Sequence, residues 1–473
     1  MSNHALMWFR RDLRLNDNLA LQAVAESGAT IVPIFVLDPA ILKSPNTGAS
    51  RLSFLLKALR ALDEALQRHG SRLWVAHGDP ALVLAHLVER FDATALYFNH
   101  DYSPYARQRD RSITEALSIP VYGFDDGTLN TPGTIMKDDG EPYIVFSPFK
   151  RKWQTLERRP VAAGYLDTAR FYHFDTDVPP VPDLSDLGFA PTMATPPADE
   201  ATATNYLNTF MAGAVYHYGE SRNRLVAEPW HYERPGSSYL SPYLRLGMLS
   251  PRQAYWAARK AYEQADSKDA RKSVESYVSE LVWREFYMHI LYHYPRVLHS
   301  NFRAEYNLMA WVHQPEQLQA WKDGRTGYPV VDAAMRQLKA IGWMPNRARM
   351  IVGSFLTKDL LIDWREGERH FMQWLIDGDP AANNGGWQWV AGTGTDAQPY
   401  FRIFNPVSQS QRHDPEGEYI CHWIPELRDV PTQFIHTPWE MDQPPVGYPQ
   451  PIIDHHFARQ RAIDAHKAVK DTK

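Results

Sequence analysis

The segment Gly342-Trp-Met-Pro-Asn-Arg-Ala-Arg-Met350 and, downstream, Asp377-Gly-Asp-Pro-Ala-Ala-Asn-Asn-Gly-Gly-Trp-Gln-Trp389 bring indoles, guanidinium groups, carboxylates and amides into about fifty residues. A helical core is built from Leu, Ile, Val, Phe and Ala, because a buried charge or amide without a partner costs several kcal/mol, roughly 3–5 for a broken buried pair. Here the polar groups recur at helical spacing. Asn346, Arg349 and Met350 fall at i, i+3 and i+4, so one helix face presents an amide, a cation and a thioether to the same spot. That mixture suits a redox-cofactor pocket better than a core.

Three further clusters share this character. Ser237-Ser238-Tyr239-Leu240-Ser241-Pro242 sets hydroxyls and backbone N–H groups before a helix start, with Pro242 suited to its first position; such a start favours a phosphate or pyrophosphate, and equally serves as a plain cap. Glu280, Trp283 and Arg284 fall at i, i+3 and i+4 of a second helix. The carboxylate and guanidinium there read equally well as a surface salt bridge worth less than about 1 kcal/mol. In the third cluster, Asp379 before Pro380 reads as a helix cap, Asn383 follows one turn later, and Gly385-Gly386 is expected to end the helix and let backbone approach a flat ligand. Asp377 is then available to pair with Arg349.

The elements that must position these groups divide the chain. Over the first 125 residues, strand patterns at 5–9, 30–36, 72–76, 94–98 and 120–122 alternate with helical stretches, which predicts a doubly wound parallel α/β domain. The clearest helix spans 50–69, with Ser50 as its expected cap and Gly70 as its stop. The first strand-to-helix turn holds Arg10, Arg11 and Arg14 and no glycine, so a dinucleotide fingerprint is absent. Residues 131–200 lack long periodicity and end in Pro179, Pro180, Pro182, Pro191, Pro196 and Pro197, which reads as an extended connection. From 201 the pattern is all-α, with helix spacing at 252–264, 271–293, 329–341, 346–362 and 368–376, a proline-rich stretch after Pro425 and a last helix from about His455. The expected domains are 1–130, α/β; 131–200, a linker; and 201–473, helical.

With 44% hydrophobic residues and no apolar run near the eighteen or so that span a bilayer, the chain reads as globular, and the strand pattern beginning at Ala5 leaves no room for a signal peptide; a cytoplasmic protein is expected. Cys421 is the only cysteine, so disulfides, cysteine-rich zinc sites and iron–sulfur clusters are excluded, no metal site is expected, and Cys421 reads as packing. A net charge of -5 argues against coating nucleic acid by bulk charge but leaves room for a local basic groove. Tryptophan is the outlier: of 15, eight lie between Trp283 and Trp389.

At this density of motifs the chain resembles the DNA photolyase/cryptochrome family over nearly its whole length. Trp8-Phe-Arg-Arg-Asp-Leu-Arg14, Glu280-Leu-Val-Trp-Arg-Glu-Phe286, Gly327-Tyr-Pro-Val-Val-Asp-Ala-Ala-Met335 and Asp377–Trp389 are similar to its signatures, in the family's order. The resemblance implies FAD held in a U shape in the helical domain by Tyr218, Ser237, Ser238, Tyr239, Leu240, Ser241, Tyr277, Arg349, Asp377, Asp379 and Asn383. Asn346 would face flavin N5, where a neutral amide avoids the repulsion a carboxylate would exert on an anionic ring. Trp387, Trp364 and Trp311 match the chain of tryptophans that photoreduces the flavin. As a known family property, the target is flipped out of the DNA duplex. Trp283 and Trp389 would stack on it, each contributing on the order of 1–3 kcal/mol. Glu280, Asn346 and Met350 would line the pocket, Glu280 hydrogen-bonding or protonating the pyrimidine. Arg222, Arg284, Arg347, Arg402 and Gln409 would form the rim and phosphate contacts, which position DNA without reading sequence.

Met350 and the Asn-Arg-x-Arg-Met pattern resemble the cyclobutane class, and Pro345 stands where a histidine is common. The implied reaction is light-driven splitting of a cyclobutane pyrimidine dimer in UV-damaged DNA by an electron from excited FADH⁻. The alternative within the family is a cryptochrome, a blue-light receptor; the presence of the full pocket set favours repair. Phe98-Asn-His-Asp-Tyr-Ser-Pro-Tyr-Ala-Arg107 resembles the branch with a deazaflavin antenna, in which Asp101 would sit at the chromophore and Arg245 contribute; Tyr105-Ala106 replaces the Asn-Glu pair of the folate branch. The expected antenna is 8-hydroxy-5-deazaflavin, with FMN, 5,10-methenyltetrahydrofolate or none as alternatives. A monomer is expected.

Overall fold

The computed structural model describes residues 3–175, 177–225, 228 and 237–471. Packing groups them into two compact units, Met1–Val215 with Ser238–Pro295, and Tyr216–Ser237 with Arg296–Lys473. In this division the helices of 238–295 group with the α/β region.

In the first unit, strands β1 (His4–Phe9), β2 (Thr30–Leu37), β3 (Trp74–His77), β4 (Ala93–Asn99) and β5 (Val121–Phe124) are joined by helices α1 (Leu19–Glu26), α2 (Ala49–Gln67), α3 (Pro80–Arg90) and α4 (Pro104–Ala116). The strand order is β3-β2-β1-β4-β5 and every pairing is parallel. Helices on both faces leave no wet side, so β1 and β2 are buried along their length after the first residue, and their sequences are apolar runs rather than alternations. The winding reverses between β1 and β4, which opens a crevice at their C-terminal ends. Arg10, Arg11 and Asp101 stand there.

Two local expectations are corrected. Ser50 does not cap its helix: α2 begins at Ala49 after Gly48, and Ser50 is buried one residue inside. The linker region also carries structure, since β6 (Arg170–Phe171) adds to the sheet beside β2. Two residues are too few to show a period.

Beyond helices at Pro39–Leu42, Phe146–Gln154 and Glu200–Ala212, the unit carries α5 (Ser241–Leu246), α6 (Pro251–Gln264) and α7 (Lys268–His293). They are fastened by a buried ionic cluster. Asp126 accepts from Arg14 Nη2 and Arg252 Nη2, both at 2.6 Å, and Arg252 Nε donates to Asp17 at 3.0 Å. All four side chains are essentially inaccessible. Burial raises the Asp126 carboxyl, but the two arginines outweigh it and hold the group below its ordinary value. At the end of α5, Gly247 takes φ +72°, and a Cβ there would lie 2.0 Å from the Arg11 carbonyl oxygen; only glycine permits this approach.

The second unit is helical: α8 (Pro329–Ile341), α9 (Asn346–Ser354), α10 (Trp364–Trp374), α11 (Pro380–Ala391), α12 (Pro406–His413), α13 (Glu418–Trp423) and α14 (His455–Asp471). The helix expected over 346–362 stops at 354, widens into a π turn over Phe355–Asp359 and ends at Leu361 with φ +56°. Lys358, fully buried in that turn, donates to the Ala391 carbonyl at 2.6 Å and lies 2.8 Å from His466 Nε2. The Lys358 amino group thus closes the C-terminal end of α11, where the helix dipole favours its protonated form. Burial lowers the Lys358 pKa to about 7. The Gly327–Met335 motif is structural: buried Asp332 accepts from Thr326 N and Oγ1 (2.7 Å each), Gly327 N (3.0 Å) and Tyr448 Oη (2.6 Å), which locks the entry to α8.

Asp126→Ala leaves Arg14 and Arg252 buried without their shared carboxylate and should cost about 3–5 kcal/mol by chemical denaturation at neutral pH. A loss below about 1 kcal/mol would show that the cluster does not hold the unit together.

Candidate functional site

In the first unit, α7 turns Tyr277, Glu280 and Arg284 along one side at i, i+3 and i+7, with Trp283 adjoining. Tyr277 is buried beside Ser238 and in ring contact with Phe210 at 5.1 Å; burial pushes its phenol up, so it stays neutral. Two residues of the expected flavin set are therefore in contact. Glu280 is half-buried. Tyr239 and Leu240 are buried, Ser238 is half-buried and Ser241 exposed; Tyr239 holds φ +54°, a strained value for a side chain of its size. The helix after this loop has only six residues and no side-chain cap, so its dipole offers a phosphate less than expected.

Trp283 lies face to face with Phe146, ring centroids 3.6 Å apart and planes within 3°. Its edge meets Phe286. Tyr287 also approaches it, at 5.5 Å and 33°, so one face of the indole is committed to Phe146 and its plane is fixed. Phe146 lies in the stretch read as a linker; the run Tyr143-Ile-Val-Phe146 was its only signal.

The crevice between β1 and β4 has a volume of about 30 Å³ and is lined by Arg10, Arg11, Asp12, Arg14, Asp101 and Arg284, among others. Arg11 joins the expected antenna pair: its Nη1 donates to Asp101 at 3.3 Å and its Nε to the Arg245 carbonyl at 3.3 Å. Burial raises the Asp101 carboxyl, but Arg11 and Arg245 hold it well below the usual range. Arg284, expected at a DNA rim, instead donates to the carbonyls of Gly127 (2.8 Å) and Leu244 (3.5 Å).

In the second unit, Arg349 pairs with buried Asp377 at 2.8 Å and donates to the Met344 carbonyl at 3.0 Å. Asp379 caps α11 through Ala381 N (2.9 Å) and Ala382 N (3.2 Å), and Asn383 donates to the Glu368 carbonyl at 2.9 Å. Gly385-Gly386 does not end this helix. α11 runs through both glycines and stops at Gly392, φ +80°. Interior glycines cost about 1 kcal/mol each relative to alanine. At Gly386 a Cβ would meet no protein atom within 4 Å, so packing does not demand the glycine. Asn346 is exposed at the start of α9, its Nδ2 3.8 Å from Met350 Sδ.

Trp387 and Trp389 sit two positions apart on α11 and so point to different sides. Trp387 is buried against Phe371 (4.9 Å) and Trp321 (6.1 Å), its Nε1 without a hydrogen-bond partner among the described residues. Gly367 makes its room: a Cβ there would lie 2.1 Å from the indole. Trp389 is half-buried. Trp364 is fully buried and donates to Asn301 Oδ1 at 2.9 Å. Trp311, partly buried, packs against the core cluster that holds both Trp364 and Trp387.

A basic cluster surrounds Arg347, whose Nη2 donates to Asn223 at 2.6 Å and Nη1 to Gln409 at 3.4 Å. Burial, then Arg222 and Arg412, lower its pKa. Tyr218 is buried, with the Arg222 guanidinium 5.6 Å from its ring; Ser237 is half-buried and Arg402 exposed. Asn223, Arg412 and His413 were not singled out from the sequence, although Gln409 and His413 share a helical face at i and i+4. Among the described residues no group of three or more His, Cys, Asp and Glu side chains is arranged to hold a metal ion, and no helix is long and apolar enough to cross a membrane.

Comparison with known proteins agrees with these features. Residues 277–468 match the model for the FAD binding domain of DNA photolyase, and residues 5–165 match that for DNA photolyase. A deoxyribodipyrimidine photo-lyase of Halobacterium salinarum is 43% identical over 97% of this chain and 98% of its own length. The crystal structure of a bacterial class III photolyase from Agrobacterium tumefaciens superposes with a TM-score of 0.89 at 35% identity, over 100% of this chain and 98% of that one. An archaeal photolyase from Sulfolobus tokodaii, solved with two FAD molecules, gives a TM-score of 0.82 at 31% identity, over 98% of this chain and 100% of that one. The chain belongs to the DNA photolyase family.

Proposed function

We propose that this chain is a light-driven lyase that splits cyclobutane pyrimidine dimers in UV-damaged DNA with FAD as its cofactor. The observation that carries the reading is the Arg349–Asp377 ion pair standing just before the Asp379 cap of α11. Tyr218, Ser237, Ser238, Tyr239, Leu240, Ser241, Tyr277, Arg349, Asp377, Asp379 and Asn383 hold FAD. When bound, reduced and excited by blue light, the flavin supplies an electron that opens the cyclobutane ring and takes it back afterwards, with no net redox change.

The chain's own residues then bind and orient. Trp283, its plane fixed by Phe146, and Trp389 stack on the flipped dimer. Glu280 presents its carboxyl to a pyrimidine carbonyl, as hydrogen-bond donor when protonated. Asn346 would face N5 of a bound flavin, and Met350 would add polarizable apolar surface to the pocket. Arg222, Arg347, Arg402 and Gln409 meet the phosphates; Arg284 is left out, because its donors are engaged by carbonyls near the crevice. Trp387, Trp364 and Trp311 restore the reduced flavin, and their common core cluster supports this. The antenna is 8-hydroxy-5-deazaflavin at the switch-point crevice near Asp101 and Arg245; the second FAD of the archaeal relative makes FAD the competing occupant. The protein acts as a cytoplasmic monomer.

Reconstituted, prereduced protein should bind a dimer-containing oligonucleotide in the dark and release it in blue light; retention through illumination favours a photoreceptor. Glu280→Ala should keep FAD and dark binding while losing at least about tenfold in repair rate, about 1.4 kcal/mol of barrier. Loss of FAD instead would place Glu280 at the cofactor. Trp311→Phe should stop slow photoreduction of oxidised FAD and leave repair by prereduced protein intact; equal loss of both would make Trp311 a packing residue.

A further inference from the structure

The tryptophans read as the reducing chain differ in what meets their indole N–H groups. Trp364 Nε1 donates to Asn301 Oδ1 at 2.9 Å, and both residues are wholly buried. Asn307 settles which way the Asn301 amide points, because Asn307 Oδ1 accepts from Asn301 N and Nδ2, both at 3.0 Å. Turned over, the amide would set its oxygen against the Asn307 oxygen and its NH2 group against the indole N–H. The carbonyl is therefore held toward Trp364. Trp387 Nε1, also buried, meets no acceptor among the described residues, and Trp311 is only partly buried. The charged groups beside Trp364 come as a pair. The Arg365 guanidinium lies 4.8 Å from the ring and is bound to Asp363 at 2.9 Å, so their opposite effects on a charge at the indole largely cancel.

We propose that Asn301 is a positioning residue of the photoreduction chain: its fixed carbonyl stabilises the radical cation of Trp364, so that a hole formed on Trp387 moves outward to Trp364. The inference rests on the reading of Trp387, Trp364 and Trp311 as that chain. Trp387 becomes a radical cation when it gives an electron to light-excited oxidised FAD. One electron from Trp364 then restores Trp387 and leaves the radical cation on Trp364. No proton moves in this hop, since an amide oxygen is too weak a base to take the one on Nε1. Trp311 re-reduces Trp364, and an external thiolate supplies the last electron to Trp311. An indole donates only through Nε1, and oxidation makes that hydrogen a stronger donor. A hydrogen bond to the charged form of a group favours that form. In a low-dielectric interior one such bond shifts the equilibrium on the order of tenfold. Trp387 gains no equivalent contact from the described residues, so the difference between the two indoles favours the outward hop.

The test uses FAD-loaded protein. In darkness, the indole N–H signals of isotope-labelled protein are recorded by NMR, with Trp364→Phe identifying that of Trp364. The signal should lie downfield, as for a hydrogen-bonded N–H, move upfield in Asn301→Leu and hold its place in Asn301→Asp, which keeps an oxygen toward the indole. After a blue flash on oxidised protein, transient absorption counts the long-lived tryptophan radicals. Asn301→Leu should lower their yield by about fivefold or more, and Asn301→Asp should lose less than about twofold. An upfield Trp364 signal in the unaltered protein, or an unchanged radical yield in Asn301→Leu, overturns the proposal. Equal losses in Asn301→Leu and Asn301→Asp also overturn it, by making Asn301 a packing residue. Where Asn301→Leu fails to retain FAD, Asn301→Ala takes its place with the same expectation. Absence of any tryptophan radical in the unaltered protein overturns the chain and the proposal with it, whereas radicals with no dependence on Asn301 leave the chain standing and sink the proposal alone.

Discussion

Asp126 is the pivot of the first unit. Its two oxygens are shared between Arg14, from the turn after β1, and Arg252, from the first turn of α6, while Asp17 closes the ring on the far side. Four charges removed from water are costly, and the cluster offsets that only because its geometry is complete: Arg14 also donates to the Gly247 and Asp17 carbonyls, and Arg252 to the Asp17 carbonyl at 2.8 Å. Hydrophobic packing alone would let α6 and α7 slide along the sheet. Directional ion pairs from Arg252 set the register of α6, and α7, which carries Tyr277, Glu280 and Trp283, packs against α6.

A related constraint governs the second unit. α11 carries the Asp379 cap, Asn383, the two glycines and both Trp387 and Trp389, so a small shift of this helix moves most of the candidate site. Its two ends are tied by different means, a carboxylate on N–H groups at the start and the buried Lys358 ammonium on Ala391 at the end. Both act with the helix dipole. The π turn that aims Lys358 is one of the irregularities often found beside functional sites.

The parallel sheet was legible because strands covered on both faces are apolar runs bounded by turns, and the five strands read from that pattern lie within about two residues of those observed. β6 was not legible, since two residues carry no period. The interior glycines of α11 misled because Gly-Gly ordinarily terminates a helix, whereas here the left-handed stop comes only at Gly392. Residue spacing carried Arg349–Asp377 correctly to an ion pair, whereas motif likeness carried Arg284 toward DNA and the structure shows it donating to the Gly127 and Leu244 carbonyls. Phe146, Asn223, Arg412 and His413 become visible only through packing, because each is brought to its partner from a distant part of the chain.

The central claim, dimer splitting driven by light, is tested most directly by counting restored thymines. A defined thymine cyclobutane dimer oligonucleotide is incubated with prereduced, FAD-loaded protein in blue light and in darkness, with a (6-4) photoproduct oligonucleotide alongside. The account predicts restored thymines only in light and only from the cyclobutane substrate. No repair of either substrate by protein that holds reduced FAD, or repair of the (6-4) lesion alone, would contradict it.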